Sequence, residues 1–569
     1  MQQISTDVLV IGSGLSGLSA CITARRANKS ATILSTQAIC SGSSFSHKTW
    51  GLGFVTPGKL GPEDLARTIE QTGGHINNPE LTRTLVDHAE DAAAFLESFG
   101  PTLERPHNPN QKEFIPCFDT HIRSWHGYRP HAFAAPLRAE LQALKDAGQK
   151  SNEELSHTHV LSLLKDQTGR VSGAFALDKN AEPLLILAGS VIIASGGYAA
   201  LWQHHLCANE CRGTMHTLAL DAGARCTNLE FVQLMFEASA HEAKAVHNEK
   251  AFSWTHIIDA TTGASIFDEL GIPAQKAEQA LNIHAGHGPF TARLDSRLVE
   301  TSVALFKKRY PQRHVVATLD HQLLTQGEKP EFIEAYLNWL QSALSVSANT
   351  PLTLHECAHS CNGGIQIDTS GRTRVPGLYA SGEAAGGVHG ADRIGGLASV
   401  TATVFGRIAG ETAAAEASPS DTDEAALELA SPIVIPSASG ISRPHAAQSY
   451  EARAQELGDV LDEFCLVLRN DAGLALAEQR IHNMCDETVA QSHIFSSLSD
   501  TLQALDRGDK GFNLRLLAAN ELYSSLRLAR SVVHAMRERT ESRGSHMRED
   551  FPETDPAWAH ASLSWFEES

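Results

Sequence analysis

The sequence predicts an α/β chain: a doubly wound nucleotide-binding domain followed by a helical C-terminal region. Three observations carry this. Val8-Leu-Val-Ile-Gly-Ser-Gly-Leu-Ser-Gly17 is an apolar run entering a glycine-rich turn. Tyr379–Gly396 is a second glycine-rich segment, holding Glu383, His389 and Arg393. From about Ala446 to Arg537, apolar residues recur at three- and four-residue spacing, the period of an amphipathic helix.

Residues 5–34 read as strand, turn, helix and strand. Asp7–Ile11 is the strand, an alanine-rich helix runs to about Ala27, and Ala31–Leu34 is the second strand. Such a unit sets a pyrophosphate on a helix N-terminus. Gly12, Gly14 and Gly17 permit the tight turn, the close phosphate approach and close helix–strand packing, and their context is the one this motif requires. The second strand ends at Ser35 rather than at an acid, which weakens an NAD reading. Val191-Ile-Ile-Ala-Ser-Gly-Gly197 is a buried strand entering another glycine turn. Residues 416–445, rich in Ala, Ser, Pro, Asp and Glu, read as a linker. The helical stretch beyond it predicts about three helices packed as a bundle.

The 569 residues suit about three or four domains. A formal charge of −20 argues against nucleic acid and against direct docking on anionic lipid. No apolar run approaches the ~20 residues of a membrane span. The first strand starts by about Ile4, leaving no room for a signal peptide. The expectation is a cytoplasmic chain, or one attached to a membrane through a partner. Ten cysteines are thinly spread. The two CxxxC pairs, Cys207/Cys211 and Cys357/Cys361, lack the clustered spacing of an iron–sulfur site, so no metal is expected.

Together, the Val8–Gly17 and Tyr379–Gly396 segments resemble the flavoprotein subunit family of succinate dehydrogenase, fumarate reductase and L-aspartate oxidase. Val404-Phe-Gly-Arg-Ile-Ala-Gly410, Leu229-Glu-Phe-Val-Gln233 and the tail Glu541-Ser-Arg-Gly-Ser-His-Met-Arg-Glu-Asp-Phe-Pro552 match it too. The resemblance therefore runs from residue 5 to about 565. It implies an FAD-binding domain in two parts, 1–238 and 353–417, an inserted α+β capping domain over 239–352, and a C-terminal helical domain and tail over 440–569. It also implies a helix at Ser399–Ala415, a small carboxylate substrate and an iron–sulfur electron-transfer partner.

Carried onto this sequence, the resemblance assigns FAD contacts to Gly12, Gly14, Leu15, Ser16, Gly17, Ser35, Ser43, Ser44, Ser195, Gly196, Gly197, Glu383, Gly395, Leu397 and Ala398. Glu383 is implied to accept hydrogen bonds from FAD hydroxyls. His359, in His359-Ser-Cys-Asn-Gly-Gly364, and Arg393, in His389-Gly-Ala-Asp-Arg393, are implied to hold a substrate carboxylate, Arg393 with its planar fork. His389 and His355 are supporting candidates. The proton donor falls on Arg297 in Asp295-Ser-Arg297, with Arg293 the alternative. The covalent-flavin histidine of the respiratory enzymes would fall near Ser44, which favours non-covalent FAD; His47 is the alternative linkage.

Several positions depart from the family pattern. Met235 stands where a histidine is usual, Asp392 where asparagine is, and Gly213-Thr-Met215 where an acid lies between glycines. Gly395-Gly-Leu-Ala398 lacks the usual polar side chains, and the usual cap motif has no counterpart between Phe236 and Gln275. The reading that results is an FAD-dependent oxidoreductase. It exchanges hydride with a carbon beside a carboxylate and passes electrons to or from an iron–sulfur protein. An L-aspartate oxidase-like enzyme and a non-catalytic flavoprotein relay are the rivals. The flavin subunit of adenylylsulfate reductase shares the fold but has no specific support.

Overall fold

The computed structural model describes residues 2–45, 51–147, 152–240, 243–320, 330–417, 427–436, 446–506 and 510–566. Its main sheet is built on β1 (Gln2–Ile11), which lies parallel to β2 (Ala31–Ser35) on one side and to Pro183–Ile193 on the other. Helix α1 (Leu15–Arg26) joins β1 to β2. Strand Leu378–Ala380 adds in parallel to the end of Pro183–Ile193. Beyond it the sheet turns antiparallel through Val171–Leu177 and His159–Lys165. Strand β1 begins earlier than its apolar pattern suggests, because Gln2–Thr6 pair with Leu184–Ala188.

The register explains where ligands must go. Ile11 and Ala380 both align with Ile193, so three strands end at one level. Three glycine turns leave from that edge: Gly12–Gly14, Ala194–Gly197 and Ser381–Glu383. A crevice outside the carboxyl ends of parallel strands is where open α/β sheets bind ligands.

Helix Leu397–Glu416 packs across α1. Two glycines permit the approach: a Cβ on Gly406 would overlap the Ser16 carbonyl, and one on Gly410 would lie 2.5 Å from the Ala20 carbonyl. Ser16 Oγ then lies 2.8 Å from Ser381 Oγ, joining the first glycine turn to the third.

A second sheet is wholly antiparallel, in the order Ala243–Val246, Val232–Ala240, Leu352–Cys361, Val315–Leu319, Thr255–Asp259. It carries its own apolar core with helices Ala274–His284, Leu298–Arg309 and Glu331–Leu344. This is the capping unit. Its expected boundaries at 238 and 352 fall on its own strands, because Val232–Ala240 and Leu352–Cys361 run continuously from the flavin domain into it.

The C-terminal region contains four helices among the described residues: Ala446–Phe464, Asp471–Ala490, Leu498–Asp506 and Lys510–Glu538. Part of the predicted linker is structured. Glu428–Leu429 extends the main sheet, and Ile433–Pro436 is buried and pairs with Ser492–Phe495. The short β-branched run Ile433-Val-Ile435 is hidden in sequence by its Ser and Pro neighbours, which are themselves turn-forming. Buried Asn520 fixes it, its side chain accepting from Val434 N and donating to Val434 O.

Candidate active site

A cavity of about 550 Å³ opens at the strand ends, within the roughly 300–1,000 Å³ usual for ligand sites. Its wall brings together most of the residues expected to touch FAD. Gly12, Gly14, Leu15, Ser16, Ser35, Ser43, Ser44, Ser195, Gly196, Glu383, Gly395 and Ala398 all line it. So do both expected carboxylate ligands, His359 and Arg393.

Three expected cofactor residues lie behind the wall. A Cβ on Gly17 would overlap the Gly12 carbonyl, so Gly17 lets helix and strand approach each other. At Gly197 a Cβ would sit 2.7 Å from Glu383 Oε1; this glycine makes room for the acid instead of for the cofactor. Leu397 is fully buried at the start of its helix.

The nucleotide end fits a dinucleotide on physical grounds. Gly14 caps α1 without any side-chain cap bond, and the first turn holds no acid. That leaves an anion-receptive helix end facing the cavity. Unlike Gly12 and Gly17, Gly14 would meet protein no closer than 3.5 Å if it carried a Cβ. Its missing side chain therefore serves the space in front of it, where a pyrophosphate would lie. Glu383 is half-buried and accepts from Ser360 Oγ at 3.2 Å and Cys361 N at 2.9 Å. Burial pushes its pKa up, opposed by the Cys361 N–H and by Arg393.

At the other end, Arg393 is 8% exposed. Its loop is pinned from several elements: Gln233 Nε2 donates to Arg393 O at 3.3 Å, and Asn362 Nδ2 donates to Ala391 O at 3.2 Å. Arg393 Nε and His359 Nδ1 are buried with no hydrogen-bond partner among the described residues. A buried donor left unmade is costly, so this pair has capacity for an anionic ligand. Burial lowers the Arg393 pKa, with Glu383 opposing; a guanidinium nevertheless stays charged at neutral pH. Burial, and then Arg393, pull His359 down to about 3, so its imidazole is neutral and contributes one N–H.

His389 does not reach the cavity. It is buried, its Nε2 lies 3.2 Å from Thr401 Oγ1, and burial followed by Arg393 lowers its pKa to about 3. Thr401 Oγ1 already donates to Leu397 O, so His389 donates to the hydroxyl and fixes the helix behind Ala398. His355 also lies off the wall, stacked on His204 at 5.0 Å.

The expected proton donor is likewise not on the wall. Arg297 ends the short turn Asp295–Arg297 and donates from Nη1 to Ala292 O at 3.1 Å, which folds it back on its own chain. Arg293 lies over Phe118 at 5.7 Å and is exposed. Among the lining residues the cap's ionisable group is Glu249. Cys117 Sγ donates to Glu249 Oε1 at 3.2 Å, and Gly288 leaves room for its stem. Glu249 had no sequence signal, because it lies within the stretch where the usual cap motif is missing. Met235 lines the cavity where a histidine was expected, packed with Leu206 and Cys357. His47 lies outside the described residues.

The comparisons agree with this architecture. A family pattern described as FAD binding domain matches residues 7–398, and one described as fumarate reductase flavoprotein C-term matches residues 454–569. A fumarate reductase (CoM/CoB) subunit of Methanothermobacter marburgensis is 29% identical over 98% of this chain and 96% of its own length. An L-aspartate oxidase of Streptomyces coelicolor is 26% identical over 97% of this chain and 90% of its own. Among solved structures, an E. coli quinol fumarate reductase FrdA chain superposes with a TM-score of 0.73 at 20% identity, covering 99% of this chain and 95% of that one. The chain therefore belongs to the fumarate reductase/succinate dehydrogenase flavoprotein family and is an FAD-dependent oxidoreductase.

Proposed function

We propose that this chain exchanges hydride between FAD and a carbon adjacent to a carboxylate of a small C4-type acid, fumarate being the first candidate. The observation that carries this is the shared wall: Arg393 and His359, each with a buried nitrogen unpaired among the described residues, face the same cavity as the dinucleotide turn. Bound FAD supplies the two-electron chemistry, and the protein binds, orients and excludes water. Arg393 clamps the carboxylate and neutral His359 donates to it. The cap supplies the proton. The sequence motif favours Arg297 for that role, whereas its placement on the wall favours Glu249. The relatives named as fumarate reductase subunits support the substrate and a partner subunit, which on this reading carries the iron–sulfur centres. FAD is held non-covalently.

The test is kinetic. Arg393→Ala should cost about 2–5 kcal/mol in kcat/KM, because the substrate anion loses a buried partner. Lysine should rescue little, since it lacks the planar fork. FAD content should be unchanged. Glu249→Gln and Arg297→Lys separate the proton donors: the variant at the true donor lowers kcat with little effect on KM. Unaltered turnover by Arg393→Ala would remove the clamp and favour a non-catalytic relay.

A further inference from the structure

The cysteine pair at Cys207 and Cys211 has no role in the reading above. Both side chains line the FAD cavity, and each is only 3% exposed. A tight turn brings them together: Cys211 N donates to Ala208 O at 3.0 Å, curling the four-residue spacing back on itself. Ser43 holds that turn against the cavity, accepting from Ala208 N at 3.0 Å and lying 3.7 Å from Cys211 Sγ. Cys211 Sγ rests on Gly196, where a Cβ would approach it to 3.0 Å. On the other side of the turn, Cys207 Sγ lies 3.6 Å from His205 Nδ1.

We propose that Cys207 and Cys211 form a redox-active dithiol/disulfide pair that exchanges two electrons with the flavin bound in this cavity. In the oxidising direction two S–H bonds break and one S–S bond forms. The two electrons and two protons pass to oxidised flavin, which is reduced; the reverse transfer restores the dithiol. With one tight turn carrying both thiols to the same wall, side-chain rotation is what brings them to the ~2.05 Å of a disulfide. Their surroundings also select the partner. Contact with Cys211 and burial hold the Cys207 thiol well above its ordinary pKa, with Glu383 adding to the effect. Little Cys207 thiolate is then present, and with both side chains buried, exchange with free disulfides in solution is slow. The redox partner that fits is one seated in the cavity itself. Other buried thiols nearby are engaged elsewhere: Cys117 bonds Glu249, and Cys361 accepts from Tyr198 N. The pair therefore stores a second electron pair beside the cofactor.

Two readouts test this, one of them independent of turnover. Cys207 and Cys211 are the only cysteines in the tryptic peptide Asn180–Arg212. After the flavoprotein is oxidised, denatured and alkylated, that peptide should resist alkylation and weigh two hydrogens less. Dithionite reduction of the flavoprotein should make both thiols alkylatable again. An anaerobic dithionite titration should take up about four electrons per flavin in the wild type and about two in Cys207→Ser. Full alkylation of the peptide after oxidation would overturn the proposal, as would a bond from Cys211 to Cys361. Uptake of about two electrons by the wild type would overturn it as well. Because the mapping uses wild-type protein, a misfolded variant would not shield the idea. Substrate turnover enters neither readout, so failure of the carboxylate assignment would leave this result interpretable.

Discussion

Asp392 shows how one residue can couple the loop of Arg393 to the cap. It is 1% exposed and accepts from Thr291 Oγ1 at 2.8 Å, while its Oδ1 has no partner among the described residues. Burial raises its pKa from 3.8 to about 7, with Arg293 and Thr291 opposing. The folded state thus binds the proton more tightly than the unfolded chain. The associated stability is fully present below the unfolded pKa and is lost as pH rises through about 7. The full swing is about 4 kcal/mol at most. An asparagine at this position would be neutral at every pH and would keep the Thr291 bond. Asp392→Asn should therefore match the wild type in Tm near acid pH, exceed it by a growing margin as pH rises towards about 7, and keep a constant margin above that. Parallel Tm curves from about pH 5 to about pH 8 would show that the carboxyl is solvated or paired in the folded protein.

At the scale of elements, the tail Glu541–Pro552 is a buttress for the substrate loop. Glu541 is fully buried and accepts from Arg539 Nη1 at 2.8 Å and from Arg543 Nε at 2.7 Å. Arg539 in turn donates to buried Glu230 at 2.6 Å, on the segment leading into the cap. From this cluster Ser545 Oγ donates to Ala391 O at 3.0 Å, and Gly544 O accepts from Ala292 N at 2.8 Å. The tail thereby touches the chain beside Arg393 and the chain before Arg297 at once. Glu541→Gln keeps the shape but leaves two buried guanidiniums underpaired, a loss of about 3–5 kcal/mol. A fall in Tm together with a raised KM, and unchanged FAD content, is expected. A lowered Tm with an unchanged KM would mean that the buttress stabilises without positioning.

These elements also show what was legible beforehand. The β1–α1–β2 unit and the helix bearing Gly406 and Gly410 could be read because glycines at fixed offsets report backbone contacts directly. Arg393 and His359 were legible as family motifs. Glu249 was not: a lone acid after Asn248 carries no pattern, and only the tertiary path of the cap brings it to the cavity. Arg297 shows the converse, a motif whose side chain folds back on the local carbonyl of Ala292. The cysteines at 207 and 211 looked incidental because spacing alone does not show that a turn closes on Ser43.

For the whole molecule the question is where the electrons go. Among the described residues no group of three or more His, Cys, Asp or Glu is placed to hold a metal, and no helix is long and apolar enough to cross a membrane. The cavity is framed by the flavin domain and the cap, so an outside carrier must reach the flavin or an edge close to it. A net charge of −20 sets what approaches well. Cationic carriers are drawn in and anionic ones repelled, an effect that salt screens. Reduced viologen, a cationic one-electron donor, should therefore drive fumarate reduction by the isolated flavoprotein. The rate should fall as ionic strength rises, and a sulfonated dye of similar potential should be slower at low salt. Oxygen should accept electrons poorly, giving little peroxide with succinate or L-aspartate. Rapid peroxide formation from L-aspartate, insensitive to salt and needing no dye, would instead align the chain with its L-aspartate oxidase relatives. The carboxylate clamp would survive that outcome, since Arg393 and His359 would hold an amino acid's carboxylate equally well; what would fall is the need for a partner chain.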